Sequence, residues 1–108
     1  MNQLTTIPSY TFSNLPNIKS IILSDNQIIN IANDAFNTTT LGEIYLNNNQ
    51  LTNIADGAFS ESTSLEQIDL SYNHLTNISN NIFNGLVILN RIWLNDNQIT
   101  NIASDAFL

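Results

Sequence analysis

The chain has 108 residues, a net charge of −7, Lys19 and Arg91 as its only Lys or Arg residues, and no cysteine. That length fits one domain without a linker, and the charge opposes binding to nucleic acid or an anionic membrane surface. The absence of thiols excludes a disulfide framework and a cysteine-based metal site.

No apolar run reaches membrane-spanning length, so no membrane insertion is expected. The opening Met1-Asn2-Gln3-Leu4 lacks the basic and apolar segments of a signal peptide. The chain is strongly periodic. Asn2, Asn26, Asn49, Asn73 and Asn97 recur at intervals of 24, 23, 24 and 24, and Phe12, Phe36, Phe59, Phe83 and Phe107 recur at the same intervals. Two residue types that share one period and one slip define a solenoid built from a repeated unit. In chain order the units are a partial repeat 1–17, repeats 18–40, 41–64 and 65–88, and a truncated repeat 89–108, together one domain over 1–108. The pattern starts and stops partway through a unit. That points to a fragment, or to a minimal protein that covers its ends by self-association.

Each unit from residue 18 onward opens on alternating apolar and polar residues, which is strand periodicity. Ile21, Ile44, Ile68 and Ile92 turn inward with Leu23, Leu46, Leu70 and Leu94. Burying each such side chain is worth about 1.5–3 kcal/mol. The Asn then ends the strand. Its amide both donates and accepts, so stacked Asn26, Asn49, Asn73 and Asn97 satisfy buried backbone groups of neighbouring turns, which neither Asp nor Leu can do. Aliphatic residues follow at Ile28, Leu51, Leu75 and Ile99, then at Ile31, Ile54, Ile78 and Ile102. Phe36, Phe59, Phe83 and Phe107 form an aromatic spine behind the sheet. Ala35, Ala58 and Ala106 precede Phe residues where space is tight, and Ile82 breaks their column. The remaining stretches, such as 37–40, 60–64 and 84–85, are polar or small and read as turns or short 3₁₀ segments.

The full pattern is L-x-x-I-x-L-x-x-N-x-L-x-x-I-x-x-x-A-F. It resembles the leucine-rich repeat family, in the 24-residue form common in extracellular receptors and adhesion proteins. The resemblance implies an α/β-type solenoid. It would be a right-handed superhelix with one parallel β-sheet on the concave face and mostly irregular or 3₁₀ convex turns. It also implies a protein-binding module that needs no cofactor, and it favours a secreted or cell-surface location.

The outward positions of the sheet are the first candidate site. The central column is Ile22, Tyr45, Asp69 and Trp93, flanked by Ser20, Glu43, Gln67 and Arg91. Beyond it lie Ser24, Asn47, Ser71 and Asn95, then Asp25, Asn48, Tyr72 and Asp96. Aromatic residues favour strands, and single exposed ones are ordinary. Their gathering on one small sheet nevertheless makes an interaction patch for a protein or peptide. Strands about 4.8 Å apart give a strip of only a few hundred Å², against about 800 Å² per partner in a stable interface. A peptide, a loop or a homodimer opposing two concave faces fits that size. A scaffold or receptor fragment without its own ligand is the alternative.

No nucleophile–base pair can be assembled, so no enzyme is expected. His74 falls in a surface column with Gln27, Gln50 and Gln98. Glu43 and Asp69 could lie near one another as a glycosidase pair does, but a solvated acidic face is the better reading of them. A calcium site from Asp25, Asn48 and Asp96 is too sparse. Asn37 and Asn77 head N-glycosylation sequons. Thr52-Asn53, Thr76-Asn77 and Thr100-Asn101 recur in register, as Thr ladders do on ice-binding solenoids, which gives a minor alternative function.

Overall fold

The computed structural model describes residues 4–13, 15–37, 40–79, 81–104 and 106, and among them the chain is a stack of turns without helix. Nine short strands form: β1 (Thr6–Ile7), β2 (Ser20–Ile22), β3 (Asn30–Ile31), β4 (Glu43–Tyr45), β5 (Asn53–Ile54), β6 (Gln67–Asp69), β7 (Asn77–Ile78), β8 (Arg91–Trp93) and β9 (Asn101–Ile102). The alternating segments make one four-stranded parallel sheet in the order β2-β4-β6-β8. Its register places Ile21, Ile44, Ile68 and Ile92 side by side on the inner face. Ile44, Ile68, Leu46 and Leu70 are fully buried there.

A second set of strands accompanies the expected sheet. β1-β3-β5 and β7-β9 pair in parallel on another side of each turn. In β1, β3, β5 and β7 a polar residue faces solvent and an aliphatic faces the core. The two-residue alternation in Thr6-Ile7, Asn30-Ile31 and Asn53-Ile54 is too short to read as a strand in sequence. Stacking supplies the partners.

The Asn ladder works as its chemistry dictates. The Asn73 amide donates to Leu46 O at 3.0 Å and to Leu70 O and Ser71 O at 3.1 Å. Its carbonyl accepts from Leu51 N at 2.9 Å. One side chain thus joins two turns. Asn49 repeats the pattern with Leu23 O, Leu46 O, Asn47 O and Ile28 N, and Asn97 with Leu70 O, Leu94 O, Asn95 O and Leu75 N. Asn26 donates to Leu23 O and Ser24 O, while its buried Oδ1 has no partner among the described residues.

The aromatic spine is a stack of near-parallel rings, Phe12–Phe36 and Phe36–Phe59 at 5.5 Å and Phe59–Phe83 at 6.2 Å between centroids. Phe107 lies outside the described residues. The looser last step coincides with the buried Ile82, which replaces the alanine found at Ala35, Ala58 and Ala106. At the same place the second ladder breaks, and β5 does not pair with β7. Ala55 N donates to Ile31 O and Ala103 N to Ile78 O. Among the described residues no corresponding bond joins Ser79 N to Ile54 O. Ile82, three carbons larger than alanine, stands at this step.

The polar returns are held by hydroxyls. Thr40 Oγ1 donates to Ile18 O at 2.8 Å, Ser64 Oγ to Leu41 O at 2.7 Å, and the fully buried Ser62 Oγ to Phe36 O. Each reaches back one turn, so these residues are structural ties as well as turn formers.

Candidate functional site

The sheet's outer face carries the columns expected from the sequence. Ile22, Tyr45, Asp69 and Trp93 are register partners in one row, as are Ser20, Glu43, Gln67 and Arg91 in the next. Ile22 is 72% exposed. Glu43, Tyr45, Gln67, Asp69 and Trp93 are half-buried by their neighbours, while Arg91 and Asn95 are exposed. The strands hold Cα positions rigidly, so the side chains project from a fixed grid about 4.8 Å by 6.6 Å.

Local contacts orient several of them. The Arg91 guanidinium lies over the Trp93 ring, 5.6 Å from its centroid, a cation–π arrangement. Asp69 Oδ1 accepts from Ser71 N at 3.0 Å and from Ser71 Oγ at 2.6 Å. Ser71 is itself buried and fixes that carboxylate. The Asp-x-Ser spacing was its only trace in the sequence. Ser24 Oγ donates to Asn47 Oδ1 at 2.7 Å, and Asn95 Nδ2 to Asp96 Oδ2 at 2.8 Å. Loss of solvent raises the Tyr45 phenol above its ordinary range. The Glu43 carboxylate, as charge and as hydrogen-bond acceptor, and the charge of Asp69 raise it further.

The turn after each strand requires a left-handed residue. Asp25, Asn48, Tyr72 and Asp96 have φ of 61°, 60°, 56° and 59°. Asp and Asn tolerate this conformation because their short side chains bond locally, whereas a bulky residue there is an outlier. Tyr72 is that outlier among the four, and the residue is 53% exposed; Tyr10, off this sheet, takes the same conformation with φ of 61°.

The other candidates are dispersed. Asn77 is exposed on β7, with Ser79 Oγ donating to Asp56 Oδ1 at 2.7 Å. Asn37 is half-buried with its amide 3.5 Å from Asp34 Oδ1, and the remainder of its sequon, 38–39, lies outside the described residues. Thr52, Thr76 and Thr100 are exposed, but the break between β5 and β7 interrupts their ladder. His74 is exposed, and among the described residues no group of three His, Cys, Asp or Glu could hold a metal.

Parallel turns stacked on an asparagine ladder, with a row of outward side chains on one sheet, define a leucine-rich-repeat solenoid. The chain belongs to the BspA-type leucine-rich repeat family, whose repeat region matches residues 1–108 in six copies. No curated protein matches the sequence. Among solved structures, the TLR13–ssRNA13 complex superimposes with a TM-score of 0.86 at 32% identity, covering 91% of this chain. The Toll–Spatzle complex of Drosophila gives 0.82 at 27% identity over 97% of the chain, and its glycosylated form 0.70 at 29%. The chain spans 14–17% of the length of these proteins.

Proposed function

We propose that the outer face of the four-stranded sheet is a protein-interaction surface, taking a peptide, a loop or a second copy of the chain. Tyr72 carries this reading: an exposed aromatic stands in a left-handed position that its three sister residues fill with Asp or Asn. Backbone strain at a bulky, largely exposed residue is a mark of functional positions. Ile22, Tyr45 and Trp93 add apolar and aromatic surface to the same strip, the residue classes that anchor interfaces. The Toll–Spatzle complex supports the reading by analogy, since a similar fold there is engaged with a protein. The TLR13 complex has an RNA partner, but a net charge of −7 sets the present chain against a polyanion.

The strip is narrow, a few hundred Å² by strand spacing, so a stable partnership needs more than its centre. Molar mass by light scattering across a concentration range tests the self-association branch. A concentration-dependent dimer that dissociates on Trp93→Ala places the contact on this face. A dimer indifferent to Trp93→Ala, Tyr45→Ala and Tyr72→Asn places it elsewhere and removes that branch. A monomer leaves the face open to a peptide or loop from another protein.

A further inference from the structure

The chemistry of the partner follows from the charge of this face, and the inference rests on the face being an interaction surface. Asp25, Glu43, Asp69 and Asp96 stand on its strands or in the turns directly after them. Arg91 is the cation in the same rows, and its guanidinium is already placed over Trp93. The middle of the face is therefore acidic and aromatic. Glu43 lies two residues before Tyr45 on β4, and Asp69 is the register partner of Tyr45 on β6. The phenol is thus flanked by one carboxylate along its own strand and one across on the next. Ser71 holds Asp69 through Oδ1, which leaves Oδ2 for an outside donor.

A phenol ring flanked by two carboxylates offers an incoming cation charge-assisted hydrogen bonds and a π face together. Next to it, Ile22 offers an exposed apolar surface one strand away. The distance from Ile22 to the midpoint between Glu43 and Asp69 is about 1.5 strand spacings across and one residue rise along, roughly 8 Å. Alternate side chains of an extended peptide repeat at about the same distance. We propose that this face takes an extended basic segment of a protein, with an apolar side chain on Ile22 and an Arg or Lys two residues away seated between Glu43 and Asp69 against Tyr45.

The probe is a short fluorescent peptide that alternates Val and Arg with Ser, compared with versions carrying Gln or Glu in place of Arg. Polarisation titrations use the full chain and two charge-matched double variants, E43Q/D69N on the face and D34N/D56N on the returns. Asn at 34 keeps its left-handed turn. The Arg peptide is expected to bind and the Glu peptide not. Affinity for the Arg peptide should fall about tenfold in E43Q/D69N, the worth of two partly screened charge pairs, and less than about twofold in D34N/D56N. Raising ionic strength should weaken it. Amide shifts of the unaltered protein on adding the Arg peptide should centre on Glu43, Tyr45 and Asp69, which keeps the test independent of how the variants fold. Equal losses in both double variants would show diffuse charge attraction and overturn the seat. A Gln peptide that binds as well as the Arg peptide, with both weakened by Tyr72→Asn, would overturn the cation while sparing the interaction surface. No binding of the Arg peptide overturns the proposal, and light scattering then decides separately whether the face is an interface between copies.

Discussion

Asn73 and Tyr72 are adjacent and do opposite things. Asn73 is buried, and all its polar capacity is spent on two turns. Asn73→Ala leaves Leu51 N without its partner in a site closed to water, while Leu46 O keeps the amide of Asn49 and Leu70 O that of Asn97. With about 1–3 kcal/mol for the one unsatisfied group and about 1 kcal/mol for the shared bonds, the loss should be on the order of 2–4 kcal/mol in chemical denaturation. Asn97→Ala should cost less, because Asn97 is only half-buried and water can replace the amide. Tyr72→Asn should change stability in the other direction. It relieves a left-handed tyrosine and gains about 1 kcal/mol, while it weakens whatever association the face makes. A destabilised Tyr72→Asn would mean the ring is structural and would remove the main support for the interaction surface. Tyr45 adds a pH signature. Its folded-state pKa is raised, so the folded protein holds the phenol proton more tightly than the unfolded chain. Its stabilising contribution is complete below the ordinary tyrosine pKa and is lost as pH rises through the folded value. In a Tyr10→Phe/Tyr72→Phe background Tyr45 is the only tyrosine, and its phenolate absorbance should appear at lower pH after Glu43→Gln. An unmoved titration would separate Glu43 from the ring.

At the level of elements, Ile82 is the irregular part of an otherwise regular stack. It coincides with the wider Phe59–Phe83 step and with the missing pairing between β5 and β7. Replacing a buried Ile with Ala ordinarily costs about 2–5 kcal/mol through the cavity it leaves. Here the neighbouring turns already fit alanine, so the turns can close and the cost of Ile82→Ala should fall below that range. The Ser79 amide should gain protection from hydrogen exchange, as it acquires the bond that Ala55 and Ala103 already make. A full cavity penalty with Ser79 still exchanging fast would show that the break has another cause. The sequence displayed the four-stranded sheet, the Asn ladder and the Phe spine because each is a column of one residue type at a fixed period. It displayed the outward rows equally well, since strand alternation fixes them. The second set of strands stayed hidden because two residues carry no detectable alternation. The left-handed strain of Tyr72, the Ser71 clasp on Asp69 and the hydroxyl ties from Thr40, Ser62 and Ser64 depend on backbone geometry and cross-turn distances that spacing does not encode.

The whole molecule is nearly one-dimensional, and its stability should follow that geometry. Each turn touches the turns before and after it, so the strands β4 and β6 are paired on both sides and β2 and β8 on one among the described residues. The burial pattern agrees: Ile44 and Ile68 are fully buried, whereas Ile92 and Leu94 are half-buried. In a stack of this kind the free energy is a sum of unit terms and nearest-neighbour terms, so partial opening proceeds from the flanks. The amides of Leu46 and Leu70, which bond to Asp69 O and Trp93 O at 2.8 Å, sit in the middle of the ladder. Native-state exchange should protect them most, with protection falling toward Tyr10 and Ala103, whose bonds belong to the outer turns. The same gradient predicts that Ile68→Ala lowers the stability of every turn, while Ile102→Ala, at a 49% exposed position, loosens only its own. Uniform protection across the chain would mean that the turns open only together. The nearest-neighbour terms would then be strong enough to make the solenoid a single cooperative unit, and the outer face of the sheet would behave as one rigid grid.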